Sequence, residues 1–352
     1  MNRLQAMPRR PVTAAVATLA VATLTACGAG EGAGSSGGAT DTDGFEVVAS
    51  TSIYASIADT VLGEDGSVTA IVEDPTVDPH SFEASPADAA RITNADLVVY
   101  NGAGYDAFVD QALGTAGDIP EVVGVEAFES ATGTSVESHD HSHDDDHGHD
   151  EAHSRAGHGH DDAEHDQEAH HDDDHPGSTQ NEHVWTSLPT ARAVAGQIAD
   201  ELGRLDPDNA DDYANNAAAF STRIAELERE IEAVHESHAG TEYAQSEPIG
   251  QHLFDSMGLV DSTPPTFLSA IHAGSDPAAR DFDAIIQLVS SGDIAFFAYN
   301  TQTETAVTTR IREAAEESGV PVIELTETLP EDTDYLTWIE DMTDRTAEAL
   351  QR

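Results

Sequence analysis

"YANNAAAFSTRIAELEREIEAV" occupies residues 213–234. Its apolar residues Tyr213, Ala217, Phe220, Ile224, Leu227, Ile231 and Val234 recur at alternating spacings of four and three. That spacing puts one apolar stripe on a helix of about 30 residues, about 45 Å long at ~1.5 Å per residue. A coiled coil shows the same pattern. The flanking sequence favours a spine between two lobes, because strand and helix signals alternate on both sides of it.

Before the helix, "FEVVAS" (45–50), "SVTAIV" (67–72), "DLVVYN" (96–101) and "EVVGV" (121–125) read as strands. "IYASIADTVLG" (53–63) and "SPADAARITNA" (85–95) read as helices between them, the first closed by Gly63 and the second opened by a capping serine. A further helix is expected at "LPTARAVAGQIADELGRL" (188–205). After the long helix come a strand at "TEYAQ" (241–245), helices at "PIGQHLFDSMG" (248–258) and "DPAARDFDAIIQLVSSG" (276–292), and a strand at "DIAFFAYN" (293–300). The chain closes with a helix at 304–319, a strand at "VPVIEL" (320–325) and a helix over 334–351. Alternating strands and helices imply parallel sheets. The expected fold class is therefore α/β: two parallel-sheet lobes, 45–205 and 240–352, joined by one long spine helix within 206–239. Open parallel sheets bind ligands at the carboxyl ends of their strands, which places a site in the cleft between the lobes.

The 352 residues carry 67 acidic side chains against 14 basic ones, a formal net charge of −53. Nucleic acid is excluded as a partner, since phosphate binding needs a basic face. An acidic surface attracts cations and keeps a protein in solution; adaptation to a salty medium would produce the same composition. The single cysteine excludes an intrachain disulfide. At the start, Arg3, Arg9 and Arg10 precede an apolar stretch over 11–26, too short to span a bilayer comfortably at about 20 residues. It reads as a secretory signal. "LTAC" (24–27) resembles a bacterial lipoprotein signal, which makes Cys27 the lipidated first residue of the mature protein. Residues 28–44, "GAGEGAGSSGGATDTDG", then form a flexible tether.

Between about 130 and 180 apolar residues almost vanish, and a segment that buries so little is expected to be disordered. Twelve of the eighteen histidines fall there: His139, His141, His143, His147, His149, His153, His158, His160, His165, His170, His171 and His175. Interleaved with aspartates, they form a run of weak cation ligands whose capacity falls as imidazole protonates near pH ~6.5. A solubilising low-complexity insert is the alternative.

Four residues outside the tract sit at matching loop positions. His80, in "VEDPTVDPHSFEASPAD" (72–88), follows a strand; His183, in "NEHVWTSLPTAR" (181–192), adjoins the tract; Glu247, in "YAQSEPIG" (243–250), and Glu327, in "IELTETLPEDTDY" (323–335), follow strands of the second half. Two imidazoles and two carboxylates, one pair from each half, suit a divalent transition metal. Taken singly, a loop histidine is usually solvated and a glutamate after a strand is usually a cap. His252 and His272 read as surface residues, and His235 and His238 as favourable charges at the carboxyl end of the long helix.

"DPHSFEASPAD" and "NEHVW", with a His/Asp-rich insert between them, resemble the metal-binding lipoproteins and periplasmic proteins of zinc/manganese ABC transporters, from about Phe45 to the end. The family's first histidine motif is kept at Asp78–Glu83, with Ala84 in place of a usual proline. The second is matched by Asn181, His183 and Trp185, with Thr186 and Ser187 where an aspartate usually follows. "SEPIG" matches the glutamate version of the third ligand, and Glu327 stands where the fourth is typically aspartate.

The resemblance implies an extracytoplasmic, lipid-anchored, monomeric metal-capture subunit rather than an enzyme. It would hold Zn2+ at His80, His183, Glu247 and Glu327 and deliver it to a permease and its ATPase, with the histidine tract as an accessory collector. Mn2+ is the alternative cargo, because two carboxylates make a harder site; a metal-buffering surface adhesin and a metallohydrolase are the other readings. The chain lacks the H-E-x-x-H helix expected of the hydrolase.

Overall fold

Seven residues, Phe45–Thr51 (β1), open a parallel sheet in which successive side chains point to opposite sides: Val47 and Ala49 face the centre of the molecule, and Val48 faces an outer layer. The computed structural model describes residues 44–136, 178–179 and 181–352. After β1 come α1 (Ser52–Leu62), β2 (Gly66–Val72), α2 (Pro86–Asn94), β3 (Leu97–Tyr100), α3 (Ala107–Leu113), β4 (Glu121–Val123) and α4 (Gly124–Thr132). The strands pair in parallel in the order β2-β1-β3-β4. Two short strands, β5 (Ser135–Val136) and β6 (Ser178–Thr179), pair in parallel with each other. Helices α5 (Leu188–Leu205) and α6 (Ala210–His238) follow.

The second lobe contains β7 (Glu242–Gln245), α7 (Gln251–Ser256), β8 (Val260–Asp261), α8 (Pro265–His272), α9 (Ala279–Ser291), β9 (Phe297–Asn300), α10 (Ala306–Glu317), β10 (Val322–Leu325) and α11 (Tyr335–Ala349). Its order, β10-β9-β7-β8, read from the other edge, is the 2-1-3-4 order of the first lobe. The two halves therefore present equivalent strand ends to the cleft.

Local chemistry accounts for several boundaries. Ser85 and Asp88 form a capping box with Pro86 in the first turn of α2, and the Asp334 side chain caps α11 by accepting from the Thr337 backbone N–H. The 29-residue α6 buries Tyr213, Ala217, Phe220, Ile224, Leu227 and Ile231, the stripe read from the sequence. α5 packs along it. The core under that stripe runs without interruption from Val47 and Ile57 of the first lobe to Tyr243, Phe254 and Met342 of the second. Separate apolar layers cover the outer faces, with Ile92 and Phe108 in one lobe and Ile285 and Ile311 in the other. Parallel sheets need both faces covered, and this arrangement supplies it.

The C-terminal segment folds back onto the first lobe. The backbone N–H groups of Leu329 and Tyr335 donate to the Ser52 and Ser56 hydroxyls, and the Tyr335 hydroxyl donates to the Trp185 carbonyl at 2.8 Å.

Two sequence expectations are corrected. The strand at 121–125 ends at Val123, and Gly124 starts α4, where any side chain would collide with the Tyr54 hydroxyl. Order also extends past residue 130: α4 continues to Thr132, held by burial of Ala127 and Phe128, and closes on Gly133 in the left-handed conformation (φ 76°). The histidine tract from His139 to His175, Cys27 and all of the 28–44 tether except Gly44 lie outside the described residues.

Candidate metal site

His80 sits on a single 3-10 turn, Pro79–Ser81, just beyond β2. Asp78 fixes that turn by accepting the His80 backbone N–H at 2.9 Å. His183 precedes a second 3-10 turn, Val184–Thr186, and is fully buried. Asn181 Oδ1 accepts the His183 backbone N–H at 3.0 Å and lies 2.8 Å from His183 Nδ1. A carboxamide oxygen can only accept, so Nδ1 carries a proton and Nε2 faces the cleft.

Glu247 follows β7 and Glu327 follows β10; both are buried, at 6% and 0% exposure. Each of the four residues offers one ligand atom, and these atoms all lie within 4.8 Å of one another. Glu327 Oε2 is 3.2 Å from His80 Nε2 and 3.6 Å from His183 Nε2. Apart from these mutual contacts, neither Glu327 Oε2 nor His183 Nε2 has a hydrogen-bond partner among the described residues. Buried polar atoms are rarely left so. Here they point at a shared space between the lobes, where a cation would satisfy both.

Supporting residues invisible in the sequence motifs complete the site. The Asn300 carboxamide donates to Glu247 Oε2 at 2.6 Å and Glu327 Oε1 at 2.7 Å. The Thr303 hydroxyl donates to Glu247 Oε2 at 2.6 Å, and the Glu327 backbone N–H donates to Gln302 Oε1. Tyr105 walls the histidines, with its ring 4.6 Å from His80 and 4.7 Å from Trp185. One signal could have exposed Asn300: both "DLVVYN" and "DIAFFAYN" end in Tyr-Asn, at the third strand of their sheets. The earlier copy, Asn101, donates to the Glu182 carbonyl at 2.9 Å and so steadies the His183 loop.

Contacts across the cleft hold the lobes together around the four residues. Asn181 Nδ2 donates to the Pro248 carbonyl, the Thr186 hydroxyl to the Ile249 carbonyl, and Gln302 Nε2 to the Val77 carbonyl. A cavity of about 400 Å³ opens onto the site past Asp78, Glu182, His272 and Glu304. Glu182 Oε1 stands 3.9 Å from His80 Nε2 and 3.6 Å from His272 Nδ1. The mouth is therefore acidic, and it draws cations inward.

The charges are interdependent. Burial resists charging of His80, but the Glu327 carboxylate overrides it and pushes the imidazole up to about 10. His183 is raised for the same reason, with burial opposing and Glu182 and Glu327 prevailing. Burial opposes ionisation of Glu327 too, yet the two imidazoles hold it well below the usual carboxylate range. Glu247 is raised by burial and by the Glu327 charge. Without a cation, the proton on His80 offsets the charge of Glu327.

His252 is not the surface residue expected from sequence. Its ring packs 4.9 Å from Phe128, its Nε2 lies 3.4 Å from the Asn181 carbonyl, and burial pushes it down to about 4. It is outside the four-residue cluster, as is His272, at the cavity mouth.

Residues 47–349 match the sequence pattern of a family described as zinc-uptake complex component A, periplasmic (ZnuA). The chain belongs to this family. It is 29% identical over 179 residues to the high-affinity zinc uptake system protein ZnuA of Yersinia pestis, covering 51% of each chain. It is 25% identical over 203 residues to the manganese-binding lipoprotein MntA of Halalkalibacterium halodurans, covering 58% of this chain and 54% of that one. The chain thus spans about half the length of the curated relatives it matches. The solved periplasmic zinc-binding protein TroA of Treponema pallidum shares the fold, with a TM-score of 0.64 and 15% identity over 88% of this chain and 100% of that one. A solved structure of ZnuA shares the fold as well, with a TM-score of 0.63 and 19% identity over 87% of this chain and 99% of that one. Among the described residues no helix is long and apolar enough to cross a membrane.

Proposed function

We propose that the protein is the extracytoplasmic solute-binding subunit of an ABC importer. It captures one Zn2+ through His80, His183, Glu247 and Glu327 and hands the ion to a membrane permease driven by an ATPase subunit. The observation that carries this reading is the convergence of four ligand atoms within 4.8 Å, two from each lobe: His80, Glu247 and Glu327 on loops that follow strands of the two parallel sheets, and His183 on the turn that leads into α5.

The mechanism follows from the donor set. Zn2+ takes four N and O ligands at about 2.0–2.2 Å, which makes a tetrahedron with edges of about 3.4 Å. The wider span of the ligand atoms leaves room for a final contraction as the ion enters. Capture exchanges imidazole protons for the metal, and the two carboxylates neutralise its charge. The continuous core beneath α6 keeps that contraction small, so release to the permease needs the loops to separate rather than the lobes to swing. With all four positions filled by protein there is no place for an activated water, so the reading is of a carrier and not an enzyme.

In the same reading residues 45–205 and 240–352 are the two jaws and 206–239 the link. Cys27 carries the lipid anchor, 28–44 is the tether, and the monomer works at the outer face of the membrane. The histidines of 139–175 gather Zn2+ loosely and pass it toward His183.

Mn2+ is the second reading, favoured by the two hard carboxylates and by the likeness to a manganese-binding lipoprotein. Zn2+ outcompetes Mn2+ at mixed N/O sites in general, which favours the first. The test is a competition titration of Zn2+ against Mn2+ on protein lacking residues 1–27, with and without 139–175. One tight Zn2+ equivalent should survive removal of the tract while weaker equivalents vanish. Tight Mn2+ binding with loss of tight Zn2+ binding would establish the second reading instead.

A further inference from the structure

Asn300 is the last residue of β9 and is 2% exposed. Its backbone N–H donates to the Ser246 hydroxyl at 2.9 Å. Its Oδ1 accepts the Gln302 backbone N–H at 2.9 Å, which fixes the orientation of the carboxamide and turns Nδ2 toward the site. The two protons of Nδ2 then go to different carboxylates: Glu247 Oε2 at 2.6 Å and Glu327 Oε1 at 2.7 Å.

We infer that Asn300 is a specificity-determining positioning residue: by tying one oxygen of Glu247 and one of Glu327, it leaves each carboxylate a single oxygen for the cation and holds the site at two nitrogens and two oxygens. This rests on the proposed function in assuming that a metal binds at these four residues.

Asn300 engages one oxygen of each carboxylate, and Glu247 is held by a second donor. Glu247 Oε2 also accepts from the Thr303 hydroxyl at 2.6 Å, so both of its lone-pair directions are taken and Oε1 remains. Glu327 Oε2, the oxygen not bound to Asn300, is the one that faces His80 and His183. A carboxylate that could swing would offer both oxygens and bring the site to five or six donors. Octahedral, oxygen-rich coordination suits Mn2+, and four-coordination suits Zn2+. The choice of an amide also matters. A lysine or arginine bridging the same oxygens would cancel the negative charge that offsets the ion, whereas a neutral amide holds both carboxylates in place and leaves their charge intact. A two-His, two-carboxylate donor set, which by composition suits manganese, is thereby shaped toward zinc.

The experiment uses the full chain and the substitutions N300A, N300S and T303V. Two readouts are taken: the ratio of Zn2+ to Mn2+ affinity by chelator competition, and the visible spectrum of the Co2+-loaded protein, which is intense for four-coordinate and weak for five- or six-coordinate ions. Melting curves of the metal-free variants identify those that fold. The wild type should give the intense spectrum. N300A and N300S should give the weak one and lower the Zn2+/Mn2+ ratio by about ten-fold or more, the scale on which groups behind metal ligands act. T303V, which removes one of the two donors to Glu247 Oε2 and leaves the Asn300 bonds in place, should shift both readouts less and in the same direction, and it serves with N300S if N300A does not fold. Folded Asn300 variants with the wild-type spectrum and an unchanged ratio would overturn the inference. H183A separates this from failure of the functional reading: if it binds Zn2+ as tightly as the wild type, the metal is not at this site and both are overturned.

Discussion

His183 Nδ1 lies 2.8 Å from Asn181 Oδ1, and the same oxygen accepts the His183 backbone N–H, so one side chain sets both the tautomer and the loop of a buried imidazole. Loss of such a partner typically lowers metal affinity 10–100-fold. Asn181→Ala should therefore weaken Zn2+ binding by about that factor, while Asn181→Asp, which keeps an acceptor at the same place, should weaken it less. Chelator competition on the two variants measures the difference.

Zn2+ binding should strengthen as pH rises. In the metal-free protein His80 is pushed up to about 10, so it holds a proton at neutral pH that the ion must displace, and His183 is shifted in the same direction. Calorimetry at pH 7.5 in buffers of different ionisation enthalpy should show net proton release on Zn2+ binding. In Glu327→Gln the strongest of the carboxylates that raise His80 is gone, leaving Glu182 and Glu247, and the release should fall below that of the wild type along with affinity.

Stability of the metal-free protein should decline on both sides of neutrality. His80 has a folded-state value above its ordinary 6.5, so its contribution is complete below 6.5 and is lost as pH rises toward about 10. Glu327 has a folded-state value below its ordinary 4.5, so its contribution is present above 4.5 and is lost as pH falls below that range. Melting temperatures across pH 3–10 check both limbs. Saturating Zn2+ should remove the alkaline decline, because the metal replaces the protons.

Ile224 lies at the middle of α6 and is fully buried in the core shared by both lobes. Ile224→Ala should cost about 2–5 kcal/mol. Unfolding followed by circular dichroism and by tryptophan fluorescence should shift together as one transition, since Trp185 and Trp338 belong to that core. Two separated transitions would mean that the lobes unfold independently.

The long helix was legible because its stripe has a strict period, and the parallel sheets because their strands are short apolar runs between capped helices. The four clustered residues were legible because each stands just past a strand or beside the insert, inside a recognisable motif. Less was readable where burial, not local pattern, decides. Asn300 looks like an ordinary strand end until its carboxamide is seen between two carboxylates from loops 53 and 27 residues away. His252 looks like a surface histidine because the Phe128 that covers it comes from the other lobe. Helices α3, α4 and α8 span only 7–9 residues each, too short for a clear period. The return of α11 onto the first lobe depends on the Tyr335–Trp185 contact, 150 residues apart in sequence.

The most direct test of the central claim is diffraction from Zn2+-loaded crystals at wavelengths on either side of the zinc absorption edge. One strong anomalous peak is expected between the lobes, within bonding distance of His80 Nε2, His183 Nε2 and one oxygen each of Glu247 and Glu327. A folded, Zn2+-saturated protein whose peak lies elsewhere, with these four side chains uncoordinated, would contradict it.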